Sequence, residues 1–309
     1  MMAARAACSA SRAASSTDDA SRCLLLALSH DELGVIVDGL ADPLQPVVAV
    51  ALSSTCLGLR TPLRAALEVL NDQHEKAKAL CRKVEMTCSE LRGAKKLSLD
   101  NEDLPTLITT NDAAILGMIL RSGLPNLRDL YLNYNTFGDA GMKALFEGLG
   151  RGAAPSLIIL GLIDNQFGPA GAEALAAALR RGAMPKLEGL GVATNPLGNR
   201  GVATLAAELR KRPAINGLNF ENCNIGDDGV ASLVANLGKK EFKALTEIWL
   251  DSNEITDKGC AMLISALNGG AVPKLQMVDI DGNPASSSAD QAVQDALWQS
   301  FADDAEKIL

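Results

Sequence analysis

The chain has 309 residues, 48% of them hydrophobic, 21% charged and only 3% aromatic, with a formal net charge of −8. Such a composition suits a soluble protein packed with Leu and Ala, and its length would ordinarily be shared by two domains unless repeats override that arithmetic. The acidic balance argues against a duplex nucleic acid partner and favours a basic one, while no run of about 20 apolar residues offers a membrane span.

Residues 1–22, MMAARAACSASRAASSTDDASR, are rich in Ala, Ser and Arg. Asp18 and Asp19 dilute what would otherwise read as an organelle-targeting segment, so a disordered tail is expected. The seven cysteines, Cys8, Cys23, Cys56, Cys81, Cys88, Cys223 and Cys260, form no CxxC pair and no close cluster. An odd, scattered set fits a reducing compartment, the cytoplasm with the nucleus left open. Neither His30 nor His74 stands beside a cysteine cluster, and no metal site or cofactor is expected.

Residues 23–93 show helical spacing without a repeat. Leu28 precedes His30 to Leu33, an apolar face runs through Ile36, Val37 and Leu40, Pro43 and Pro46 interrupt, and a second apolar helix starts at Val47. Thr55, Cys56, Leu57 and Leu59 come next. This stretch resembles an F-box, although Ser29 stands where the family has proline and the later segment lacks its tryptophan. The resemblance implies that Leu28, Asp31, Glu32, Leu33 and Ile36 contact a Skp1-type adaptor of a Cullin-based ubiquitin ligase. The competing reading is a helical cap on the region C-terminal to it. HEKAKALCRKVEMTCSELRGAKK should be one charged amphipathic helix, with Cys81 and Cys88 two turns apart and beyond disulfide reach.

From residue 94 to 284 the chain repeats. LRDLYLNYNTFGDAG, LIILGLIDNQFGPAG, LEGLGVATNPLGNRG, INGLNFENCNIGDDG, LTEIWLDSNEITDKG and LQMVDIDGNPASSSA begin at Leu127, Leu157, Leu187, Ile215, Leu245 and Leu275. An internal period of 28 to 30 residues is the mark of stacked units. Within the first, Leu127, Leu130 and Leu132 point a short strand at the core, and Asp129, Tyr131 and Asn133 alternate outward. Asn135, Asn165, Asn195, Asn253 and Asn283 close their strands and satisfy backbone groups with the side-chain amide, while Cys223 fills the same niche as a small buried thiol. Phe137, Phe167, Leu197, Ile225 and Ile255 turn back to the core.

Gly141, Gly171, Gly201, Gly229 and Gly259 come after these, suggesting a close approach of helix to strand. Leucine pairs such as Leu145 and Leu149 then give a helical face. Pro169 should open one helix and Thr256 cap another, with Asn111 capping the helix of a degenerate first unit that carries Glu102 at the asparagine place. Parallel strands want about 4.8 Å between neighbours and helices about 8–10 Å, so the stack must curve.

The LxxLxLxxN/CxL pattern with its helical tail resembles leucine-rich repeats of the ribonuclease-inhibitor type, a class that also serves in innate immune receptors and in activators of the Ran GTPase. The fold class expected is α/β: a curved leucine-rich-repeat solenoid with parallel strands on the concave face and helices on the convex face, preceded by a small helical region. Residues 285–309 should form a C-terminal capping helix, with Trp298 as a lid over the last core layer.

No nucleotide-binding loop, nucleophile elbow or metalloprotease helix is present, and no catalytic residue is singled out. Noncatalytic protein–protein recognition is the expected function, with a ubiquitin-ligase substrate receptor and a Ran-type GTPase activator as alternatives. The partner-binding positions are the letters between the leucines: Asp129, Tyr131, Asn133, Tyr134, Asp164, Glu221, Glu247, Trp249, Asp251, Asp279 and Asp281. Aromatic side chains there combine contact area with a polar handle, and the carboxylates prefer a protein or peptide with a basic surface. No nucleic acid and no membrane is expected as partner.

Overall fold

The computed structural model describes residues 41–55, 64–101, 108–234, 237 and 241–306. The chain divides into two compact units, Met1–Lys76 and Ala77–Leu309. In the first, helix α1 (Val47–Thr55) starts directly after Pro46, where proline had been expected to break the pattern, and Leu44, Ala49 and Leu70 are buried. His74 Nδ1 lies 2.6 Å from the carbonyl oxygen of Pro43. The adaptor-facing candidates Leu28, Asp31, Glu32, Leu33 and Ile36, together with His30, lie outside the described residues, as do Cys56, Leu57, Leu59 and Glu102.

Helix α2 (Arg64–Lys83) carries the chain into the second unit, and here one expectation fails. Residues 74–96 are not a single helix. Glu85 adopts a positive φ of 54°, the Met86 amide donates to Cys81 O at 2.8 Å, and a new helix α3 (Cys88–Gly93) begins. Thr87 starts it because its hydroxyl accepts from the Glu90 amide while the Glu90 carboxylate accepts from the Thr87 amide, a reciprocal pair that satisfies two otherwise unpaired donors. The turn folds the two cysteines together, with Cys81 Sγ 3.5 Å from Cys88 Sγ, so the inference that they are out of reach is overturned.

Seven three-residue strands come next: β1 (Lys96–Ser98), β2 (Asp129–Tyr131), β3 (Ile159–Gly161), β4 (Gly189–Gly191), β5 (Gly217–Asn219), β6 (Glu247–Trp249) and β7 (Met277–Asp279). They pair in parallel and in sequence order, β1 to β7. The helices between and after them are α4 (Thr110–Arg121), α5 (Gly138–Phe146), α6 (Pro169–Arg180), α7 (Gly198–Leu209), α8 (Asp227–Val234), α9 (Asp257–Asn268) and α10 (Ser287–Glu306). The unit is a curved solenoid of the leucine-rich-repeat type, strands on its concave side.

Register explains why the leucines recur. Leu97, Leu130, Leu160, Leu190, Leu218, Ile248 and Val278 are successive partners across the sheet, each no more than 3% exposed. Each repeat leaves its apolar edge open until the next covers it, so these columns form a continuous core. A slip of one residue would turn every column toward solvent.

The N-cap of α4 is Thr109, not Asn111: its hydroxyl accepts from the Asp112 amide, and Asp112 Oδ2 accepts from the Thr109 amide at 2.8 Å and takes Lys83 Nζ at 2.6 Å. Burial pushes the Asp112 carboxyl upward, but Lys83 and Thr109 outweigh it and hold it below the ordinary aspartate range. The recurrent helix glycines do not face a strand. A methyl at Gly259 would stand 2.6 Å from Ile255 Cγ2 and 2.7 Å from Asp227 Oδ1, and one at Gly229 2.6 Å from Ile225 Cγ2 and 2.7 Å from Asn199 Oδ1. The crowding comes from each repeat's own turning residue and, at Gly171, Gly229 and Gly259, also from a capping side chain one repeat earlier. Finally, Trp298 is no lid: it is 74% exposed, and Val293 and Leu297 close the last layer of α10 instead.

Candidate protein-recognition face

Two internal ladders hold the strand ends still. The Asn195 amide donates to Leu162 O, Val192 O and Ala193 O, and its oxygen accepts from the Asn165 and Phe167 amides of the preceding repeat. Asn253 does the same for Phe220 O, Leu250 O and Asp251 O, accepting from Cys223 and Ile225. Asn135 and Asn165 repeat the donor half, and Asn283 donates likewise and accepts from the Ile255 amide. Cys223 is fully buried and donates weakly to Val192 O and Glu221 O, and burial pushes its thiol up to about 12. Its role is packing, with no nucleophile at neutral pH.

The second ladder escaped sequence reading. Asp139 accepts from Gly168 and Gly171, Asn199 from Gly226 and Gly229, Asp227 from Thr256 and Gly259, and Asp257 from Ser286. Each side chain therefore caps the helix of the following repeat. The signal was visible, since all four residues stand two places before a recurrent small residue. Pro169 occupies that place in the third strand's repeat, and α7, with Leu197 at its N-cap, accordingly has no side-chain cap.

On this frame the partner-binding candidates separate. Asn133 is only 8% exposed and belongs to the frame: its amide group donates to Asp100 Oδ2 and its oxygen accepts from the Ile163 amide. That removes it from the outward surface predicted for it. Tyr131 and Asp129 are half-buried on β2, with Lys96 Nζ from β1 placed 5.0 Å from the Tyr131 ring centroid. Burial, then Asp129 and Asp100, raise the Tyr131 hydroxyl above its usual range. Tyr134 and Asp164 sit one place before the ladder asparagines with φ of 62° and 50°, and Tyr134 is 38% exposed.

The other end of the face gathers carboxylates. Asn219, Trp249 and Asp279 are aligned partners on β5, β6 and β7, and Gly217 aligns with Glu247 and Met277. Beyond the strands the pairing continues, with Asn222 N donating to Asp251 O and Ser252 N to Asp281 O. Glu221, Asp251 and Asp281 consequently form a second row at the strand spacing of about 4.8 Å. Burial pushes the Asp251 carboxyl up, and the neighbouring Glu221, Asp279 and Asp281 push it further. The Trp249 indole leans over Gly217, where a methyl would stand 3.9 Å from Cζ3. Gly189, Gly191 and Gly217 leave the floor between the tyrosine and tryptophan ends low.

The leucine-rich-repeat family model matches residues 123–146 and 217–234, which contain β2 with α5 and β5 with α8. No curated protein matches the chain. Among solved structures, the C-terminal domain of Caenorhabditis elegans tropomodulin is similar over 63% of this chain and 97% of its own, at 16% identity and a TM-score of 0.39. Actin-binding site 2 of leiomodin-1 is similar over 76% of this chain and 92% of its own, at 12% identity and a TM-score of 0.32. Among the described residues no helix is long and apolar enough to cross a membrane.

Proposed function

We propose that the concave face binds a protein or peptide segment with a basic surface, without catalysis. The observation that supports this is the row Glu221, Asp251, Asp281 beside Trp249 and Asp279, where burial first and then the neighbouring carboxylates raise the Asp251 carboxyl above its usual range. Like charges on neighbouring strands destabilise a sheet. A guanidinium or ammonium laid along the row would relieve that repulsion, and the indole would accept its alkyl stem or stack on its plane. The period and the asparagine/cysteine position support reading the repeats as the ribonuclease-inhibitor type.

Calorimetric titration of the full chain with an arginine-rich peptide tests the face. Binding should weaken about tenfold or more in Trp249→Ala and in Asp251→Asn/Asp281→Asn, the loss expected of a central anchor, and a glutamate-rich peptide should not bind. Equal binding by the wild-type chain and both variants would sink the proposal. The F-box-like reading of residues 23–93 stands on its sequence pattern alone. Mixing the full chain with a Skp1-type adaptor decides it, absence of binding at micromolar concentrations ruling against it. The Ran-type activator reading rests on repeat resemblance alone, and an unchanged rate of GTP hydrolysis by such a GTPase would remove it.

A further inference from the structure

The turn between α2 and α3 has no part in the recognition face, yet it brings two thiols into contact. Cys81 lies near the end of α2, 2% exposed, and Cys88 opens α3, half-buried, with their sulfurs 3.5 Å apart. The contact is set from both sides. The Met86 amide ties the turn back to Cys81 O, and the Thr87–Glu90 capping pair fixes the direction in which α3 leaves. Closing from 3.5 Å to a bond of about 2.05 Å asks each sulfur to travel roughly 0.7 Å, within the range of a small side-chain rotation.

We infer that Cys81 and Cys88 form a reversible redox pair, reduced at rest and closed to a disulfide by a peroxide. Cys88 meets the oxidant because it is the more accessible sulfur. Its thiolate attacks one peroxide oxygen, the O–O bond breaks, and hydroxide leaves to be protonated as water, which makes Cys88 a sulfenic acid. The Cys81 sulfur then attacks the Cys88 sulfur. The S–S bond forms, the S–O bond breaks, and the departing hydroxide takes the Cys81 proton as a second water. Two thiols are oxidised by two electrons and one peroxide is reduced. A small dithiol reverses the reaction by exchange. Burial, then the contact with Cys88, pushes the Cys81 thiol up to about 12, so peroxide reacts at Cys88 first, and Cys81 attacks only because the 3.5 Å contact holds it against the sulfenic sulfur and the departing hydroxide takes its proton.

The test uses the full chain under native conditions. Trypsin cuts after Arg82 and Lys83, so Cys81 and Cys88 fall on separate peptides that only a disulfide can join. Brief hydrogen peroxide treatment, blocking of remaining thiols and digestion should give the joined pair ALCR and VEMTCSELR. Its mass should be about 2 Da below the sum of the two reduced peptides, the loss of two hydrogens, and dithiothreitol should separate them. In Cys81→Ala the pair cannot form, and Cys88 should instead be trapped as a sulfenic acid by a 1,3-diketone. The inference is overturned if both peptides are recovered with blocked thiols, if Cys88 proceeds to sulfinic acid in the wild-type chain, or if Cys88 is joined to another cysteine.

Discussion

Asn195 shows how much one side chain can carry in this array. Its oxygen takes two amides of the preceding repeat and its nitrogen serves three carbonyls, all in a fully buried position. Asn195→Ala would strand those groups away from water, at about 1–3 kcal/mol for each left unpaired. A loss of roughly 3 kcal/mol or more is expected in urea unfolding, against about 1–2 kcal/mol for Asn283→Ala, whose partners are only part-buried. Equal losses would show that the ladder contributes uniformly and that burial does not set its worth. The asparagines were legible from spacing, and so was the thiol at Cys223, because a recurring polar letter among leucines has a backbone to satisfy. The residue just before each was not. Tyr134, Asp164, Thr194, Asn222, Ser252 and Gly282 all have positive φ, from 49° to 69°, yet share no chemistry that would announce a left-handed turn. Only the last is the glycine such a turn favours.

Helices α6, α8, α9 and α10 are capped from the preceding repeat, which is why the sequence shows their end signals and not their partners. Pro169 does open α6 and Thr256 does cap α9, since both act within a few residues of themselves. Asp227, by contrast, caps a helix 29 residues further on, through the Thr256 amide and hydroxyl and the Gly259 amide. Burial pushes its carboxyl upward, but those donors and Lys258 prevail and hold it below the ordinary range. Asp227→Ala should therefore lower stability by about 1–2 kcal/mol at neutral pH, the usual worth of such a cap. Asp227→Asn should keep most of it, as Asn199 performs the same task one repeat earlier. The sign with pH follows from the depressed folded-state value: the contribution is complete above the unfolded aspartate range and is lost as pH falls through the folded one. Chemical unfolding of wild type and Asp227→Ala should thus converge in acid; a gap that stayed constant would show that lost packing, not the charge-assisted cap, is responsible. The α2–α3 break was hidden for a related reason. Helical spacing runs through Val84–Thr87, and nothing in that periodicity reveals that Glu85 turns to positive φ.

At the scale of the whole array, the same geometry that builds the core creates the charged row. Parallel pairing in exact repeat register puts equivalent positions side by side, so an acid in three successive repeats cannot avoid its neighbours. The acids at Glu221, Asp251 and Asp281 were legible one by one, but their coupling became visible only when the strand spacing set them about 4.8 Å apart. A carboxyl raised in the folded state opposes folding once it ionises. Stability falls as pH climbs from the unfolded aspartate value through the folded one, and below that window the penalty vanishes. Asp251→Asn should accordingly raise the stability of the free protein at neutral pH, on the order of 0.5 kcal/mol for the like-charge contacts removed. Binding should move the other way. A basic segment favours the ionised carboxylate and lowers its pKa, so affinity for an arginine-rich peptide should decline as pH falls through the raised Asp251 range, with uptake of protons by the free protein. It should also decline with added salt, because much of the row is solvent-facing and within a screening length of water. Calorimetry across pH, on wild type and Asp251→Asn, separates the contributions: the variant should be the more stable protein, the weaker binder and the one with the flatter pH profile. A variant that bound as tightly as wild type and kept the same pH profile would place recognition away from this row, toward the tyrosine end at Tyr131 and Tyr134.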